Sequence, residues 1–178
     1  MRFLRLFAAV LKWISFAAER DLIFNRPVFN ILLLGSGSAG NCALIESSGC
    51  RLLVDCGLSA KQITARLASV GMEPSMLDGI LLTHEHADHV GGLRVLCKKT
   101  PIPIYCTRLT AEMLRKEELA LHPDVRQFQA GAAFTIKDID VQAFTVPHDA
   151  VDPVGFTFHH GSESLGFLTD LGKCTHLA

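Results

Sequence analysis

The residues best equipped for chemistry stand together in Thr83-His84-Glu85-His86-Ala87-Asp88-His89, which sets three imidazoles and the Asp88 carboxylate within six positions. The chain has 8 histidines among 178 residues, and chance would produce such a pattern on the order of once in a thousand chains of this composition. A polar loop with unrelated histidines is therefore the weaker reading. In an extended segment His84 and His86 project to the same side and can reach one ion. Asp88 and His89, where the chain turns into a helix, can point together toward a second. Imidazole and carboxylate are donors that zinc, iron and manganese accept, so the chemistry expected here is that of bound metal.

Such a loop needs a rigid support, and Gly79-Ile-Leu-Leu reads as the strand that delivers it, at 79–82. Upstream, the apolar run 29–34 is a strand stopped by Gly35, and Gly35-Ser-Gly-Ser-Ala-Gly-Asn41 is a turn. That turn has neither the Lys-Ser/Thr of a P-loop nor GxGxxG spacing, so a tight turn near the site is preferred to a phosphate cradle. Strands follow at 42–46 and 50–55, joined by a Ser-Ser-Gly hairpin. Ser59 and Gln62 form a capping box opening a helix with Ile63, Leu67 and Val70 inward, closed by Gly71.

Downstream, the pattern predicts a helix at 88–98, a strand at 102–106, and a helix at 108–119 carrying Leu109, Met113 and Leu114. Strands are predicted at 132–137, 140–146, 154–159 and 164–169. His159 and His160 alternate to opposite faces of a strand and read as strand residues rather than ligands. His122 before Pro123 reads as loop. No repeat or linker divides the chain, which is expected to form one domain over 29–178 behind an extension at 1–28. A doubly wound sheet needs helices between successive strands, and the second half lacks them. The expected class is a layered α/β protein with antiparallel or mixed sheets.

Composition agrees with a globular domain: 49% hydrophobic and 20% charged residues are too apolar for a disordered tail. A net charge of −1 excludes a chain that coats nucleic acid by charge alone, though not a nuclease whose metal supplies the positive field. No apolar run approaches the ~18 residues of a membrane span. Cys42, Cys50, Cys56, Cys97, Cys106 and Cys174 form no CxxC pair, and several lie in apolar runs. Reduced thiols in the cytoplasm are the expectation. Residues 1–28 carry a charge of +3, with Phe3, Phe7, Val10, Ile14 and Ala17 at helical spacing. A signal peptide, a membrane-surface helix and a helix packed on the domain or an added leader all remain open, the last preferred.

With these elements placed, the chain resembles the metallo-β-lactamase superfamily, whose signature is HxHxDH. Leu53-Val-Asp55-Cys-Gly57, Pro147-His148-Asp149 and Leu168-Thr-Asp170-Leu-Gly172 match its other motifs in order. Gly35-Ser-Gly-Ser-Ala-Gly-Asn41, the run from His84 to Gly92 and the run from Pro147 to Phe156 are similar to its YycJ/WalJ-type branch of cytoplasmic exonucleases. The resemblance covers roughly residues 29–172 and implies an αββα sandwich with two divalent ions at one edge between the sheets. Zinc comes first, manganese and iron next.

By that likeness His84, His86 and His148 hold the first ion, Asp88 and His89 the second, and Asp170 bridges them. Asp88 orients a metal-activated hydroxide and accepts a proton, while Asp55, Thr83 and Asp149 fix imidazole orientation. Taken alone, His148 would read as a cap on a surface turn and Asp170 as an ordinary turn aspartate.

Family members run on past the bridging aspartate to a final histidine, whereas this sequence stops at Ala178, and His176 is not assigned that role. The expectation is a sandwich incomplete in its C-terminal half, from a shortened product or a fragment, with a weaker second ion site. Apolar strand faces at 140–146 and 164–169 would be left bare and favour self-association. The function expected is a metal-dependent hydrolase, a phosphodiesterase or 5′-3′ DNA exonuclease with nucleic acid as its partner. Alternatives are a hydrolase of thioesters, lactones or β-lactams, and a catalytically impaired metal-binding fragment.

Overall fold

Strand alternation decides how the layers stack. The computed structural model describes residues 29–117 and 124–172. Its first sheet runs in the order β1 (Asn30–Gly35), β2 (Cys42–Glu46), β3 (Arg51–Val54), β4 (Gly79–Leu81), β5 (Ile104–Thr107), β6 (Val125–Phe128). The first three strands form an antiparallel meander. The last four are parallel, because helices cross between them as parallel pairing requires. These are α1 (Ala60–Ala68), α2 (Ala87–Val90), α3 (Leu93–Lys99) and α4 (Arg108–Lys116). The second sheet is antiparallel, with β7 (Ala133–Ile136), β8 (Ile139–Thr145), β9 (Val154–His160) and β10 (Glu163–Phe167) in the order β10-β9-β8-β7.

Successive residues of β3 serve opposite cores. Leu53 joins Ile80, Leu82 and Ile104 against Ile63, Leu67, Leu93 and Leu96 of the helices, while Leu52 and Val54 face Val141, Ala143, Phe156 and Phe158 of the second sheet. Three layers result among the described residues: helices, mixed sheet, antiparallel sheet. A fully buried Phe or Leu at such a position contributes roughly 1.5–3 kcal/mol, so packing on both faces of β3 and β4 anchors the base of the histidine-rich loop.

The capping box of Ser59 and Gln62 is present as expected. Val70 is not inward: α1 ends at Ala68, Gly71 turns the chain at φ 74°, and Met72 packs in its place, leaving Val70 48% exposed. The helix expected at 88–98 is two, α2 and α3, parted at Gly91-Gly92. A Cβ on Gly92 would overlap the Leu58 carbonyl, and its N–H donates to Cys56 O at 2.8 Å, so close passage of the 56–58 segment breaks the helix. α4 ends at Lys116 rather than 119. β6 was not expected, since Arg126 and Gln127 interrupt its apolar residues on an outer strand.

The bare faces expected at 140–146 and 164–169 do not occur. Alternation turns Val141, Ala143, Leu165 and Phe167 into the core between the sheets. Asp140, Gln142, Ser164 and Gly166 point outward, with Phe144 the large apolar exception at 36% exposure. Self-association through apolar faces therefore loses its basis; what β10 leaves open among the described residues is its backbone edge. Residues 1–28, His122, Cys174 and His176 lie outside the described residues.

Candidate metal centre

Two aspartates in left-handed backbone frame the site. Asp55, directly after β3, has φ 63°, and Asp170, three residues after β10, has φ 51°. Such conformations persist for non-glycine residues where surrounding bonds over-determine them. Asp55 meets that condition. Its N–H donates to Leu81 O at 2.8 Å, and its fully buried carboxylate accepts from the Thr83 N–H at 2.9 Å, Thr83 Oγ1 at 3.0 Å and His89 Nδ1 at 2.8 Å.

This network sets the imidazole tautomers. Thr83 Oγ1 spends its proton on Asp55, so at 2.9 Å it accepts from His84 Nδ1–H. His84 and His89 are therefore both protonated at Nδ1, which leaves Nε2 of each facing the centre. His84 Nε2 is buried with no hydrogen-bond partner. His86 and His148 complete a cluster of rings whose centroids lie 4.6 and 4.7 Å from that of His84. His148 Nδ1 lies 3.0 Å from Asp149 Oδ1, and its Nε2 is 3.2 Å from His86 Nδ1. Asp149 is largely exposed, so it steers His148 from the surface.

Two donor sets follow, each with all its atoms within 4.8 Å of one another: His84, His86 and His148, and His84, His89 and Asp170. Asp88 belongs to neither; its Oδ2 stands 3.8 Å from His89 Nε2 at the rim. Asp55 and Thr83 lie behind the His84 and His89 rings, on their Nδ1 side. His159 bonds Ser164 and His160 bonds Asp138, as strand residues rather than ligands.

The donor chemistry fits a cation. Burial, reinforced by the charge of His89, lowers the His84 pKa to about 4, so its imidazole is neutral and ready to bind. Burial would lower His89 too, but Asp55 and Asp170 outweigh it and raise it to about 10. Asp170, hydrogen-bonded to His89, is held below the usual carboxylate range. His89 Nε2 meets conflicting demands: Asp170 Oδ2 at 2.7 Å calls for an N–H, while the Asn41 amide at 2.9 Å calls for a lone pair. No single protonation state satisfies both, whereas a cation accepted by Nε2 and Asp170 removes the conflict. Cysteine takes no part; burial pushes Cys97 up to about 11, and the five described cysteines are free and buried.

Two site residues escaped the sequence reading. Glu85, whose Oε1 accepts from Val151 N–H at 2.9 Å, closes the 147–153 loop that carries His148. Asn41 ends the glycine-serine turn and touches both Asp88 and His89. The turn's nearness to the site was the available signal.

The family model described as "Metallo-beta-lactamase superfamily" matches residues 35–173. The chain belongs to that superfamily. Among curated relatives, Exodeoxyribonuclease WalJ of Streptococcus pneumoniae serotype 2 is 40% identical over 147 residues, which are 81% of this chain and 55% of that protein. Exodeoxyribonuclease YycJ of Bacillus anthracis is 36% identical over 141 residues, 79% of this chain and 53% of that protein. The chain thus spans about half the length of the curated relatives it matches. A solved B3 metallo-β-lactamase with an active-site glutamic acid superimposes with a TM-score of 0.65 at 22% identity, over 78% of this chain and 58% of that one. At that identity the likeness is one of fold. A metallo-β-lactamase fold is thus shown for the layers described above, with the histidine-rich cluster at one end of the facing sheets.

Proposed function

We propose that the centre serves a metal-dependent phosphodiesterase, a 5′-3′ DNA exonuclease, with His84, His86 and His148 on one divalent ion, Asp88 and His89 on a second, and Asp170 shared. The observation that carries the reading is the partnerless buried His84 Nε2, at the meeting point of both donor sets. A nitrogen-rich donor set favours zinc, with manganese and iron as alternatives. When bound, paired cations make a water nucleophilic near neutral pH and neutralise charge on the phosphodiester. The chain's own residues do the rest: Asp55 and Thr83 fix ring orientation, Asp149 steers His148, and Asp88, partly open to solvent, is placed to accept a proton. The exonuclease relatives support nucleic acid as the substrate. No helix of the described residues is long and apolar enough to cross a membrane. The free, buried cysteines support a reducing, cytoplasmic setting.

The test offers the metal-loaded chain 5′-phosphorylated duplex DNA, a model phosphodiester and a β-lactam. Nucleotide release from DNA that His86→Ala abolishes is expected. Turnover of the β-lactam alone, or of none of the three, overturns the reading.

A further inference from the structure

Asn41 is wired differently from the rest of its turn. The turn is built by backbone: Gly40 N–H donates to Gly37 O at 2.9 Å, Asn41 N–H to Asp88 O at 2.7 Å, and Gly57 N–H to Asn41 O at 2.8 Å. Glycine permits the closest crossing, since a Cβ on Gly57 would overlap the Asp88 carbonyl. The Asn41 side chain is left to do something else. Its Oδ1 accepts from Gly37 N–H at 2.9 Å, which fixes the amide's rotation and aims Nδ2 at the centre. Nδ2 then lies 3.4 Å from Asp88 O, 3.3 Å from Asp88 Oδ2 and 2.9 Å from His89 Nε2. Among the described residues no other donor hydrogen-bonds the Asp88 carboxylate, which is 35% exposed and would otherwise rotate freely.

We infer that Asn41 is a positioning residue for the second ion: its amide ties the Asp88 carboxylate to the Asp88 backbone and is left wholly to Asp88 once His89 Nε2 is taken up by metal. One lone pair on Nε2 cannot serve an amide hydrogen and a cation together, so ion binding transfers the amide to Asp88 rather than leaving it unpaired. The same amide thus marks the Asp88 and His89 side of the centre and touches neither His86 nor His148. Its role presupposes the metal reading of the centre.

Calorimetric zinc titration of the full 178-residue chain, beside Asn41→Ala and the volume-conserving Asn41→Leu, tests it. Wild type should show two binding classes. Both variants should keep the stronger class and weaken the other by about 10- to 100-fold, the usual loss when a ligand's orienting partner is removed. Metal-free melting should fall by only about 2–8 °C, the loss of one or two hydrogen bonds, with the stronger class untouched, a split that a merely structural residue would not produce. Two classes with unchanged affinities in the variants overturn the role of Asn41 and leave the metal reading standing. One class or none in wild type overturns the metal reading of the Asp88 and His89 side itself. Loss of fold in both variants also overturns the role, because the turn then depends on the amide rather than on its backbone bonds.

Discussion

The two sides of the candidate metal centre are held in different ways. On the His89 side, the groups behind the ring come from the first sheet and its helix connection, Asp55 after β3, Thr83 after β4 and the loop into α2, and Asp170, after β10, reaches in from the second sheet. On the His148 side, one ring sits on a loop between β8 and β9, held by exposed Asp149 and by the bond from Val151 to Glu85. His84 belongs to both. A buried carboxylate network fixes the rings of the first side from behind, while the second is closed by contacts at the surface. The difference teaches that one centre can combine a preformed half with a half that is completed by tertiary docking.

The harshest way to break this contrast is Asp55→Ala. It strands the Thr83 hydroxyl, a buried N–H and the His89 ring without their acceptor, and should cost about 3–5 kcal/mol of unfolding free energy. Urea denaturation measures it, and a loss below about 1 kcal/mol would show that the buried network does not support the inner side. Next in size is His84→Ala, which removes the donor common to both sets. Competition against a zinc indicator should show both ions weakened, by about 100-fold or more; loss of one alone would separate the two sides entirely.

The most gradual effect, at the smallest change per step, sharpens the comparison through pH, in chelator-stripped protein. His84 is lowered from 6.5 to about 4, so the unfolded chain binds the extra proton between those values and stability falls as the medium is acidified below 6.5. His89 is raised from 6.5 to about 10, so the folded chain holds the extra proton and stability falls as pH rises through that window. Each limb has a slope of at most about 1.4 kcal/mol per pH unit. Stability should peak near pH 6.5, and His89→Gln should flatten the alkaline limb alone. Denaturation midpoints across pH check this; an alkaline limb that survives His89→Gln assigns it elsewhere.

What could be read from residues alone follows from how local the cause is. The His84–His89 loop, the Ser59 box and the alternating strands declare themselves within a few positions. Val70 misled because helical spacing continues past Ala68, whereas the end of α1 is set by the left-handed turn at Gly71. The break between α2 and α3 has its cause in a crossing by residues 56–58, more than thirty positions away, which no local pattern records. β6 hid because a strand at a sheet's border keeps polar residues such as Arg126, which reaches the Tyr105 hydroxyl at 2.6 Å. Asn41 was legible as part of a turn but not as a partner of Asp88, since only the folded crossing brings them together.

Asp55 and His89 lie 34 positions apart, whereas His86 meets His148 across 62. As the polypeptide leaves the ribosome, the inner imidazoles can therefore be oriented long before the outer one has been synthesised. Both donor sets would be complete only once the second sheet has closed and brought His148 and Asp170 to the inner rings.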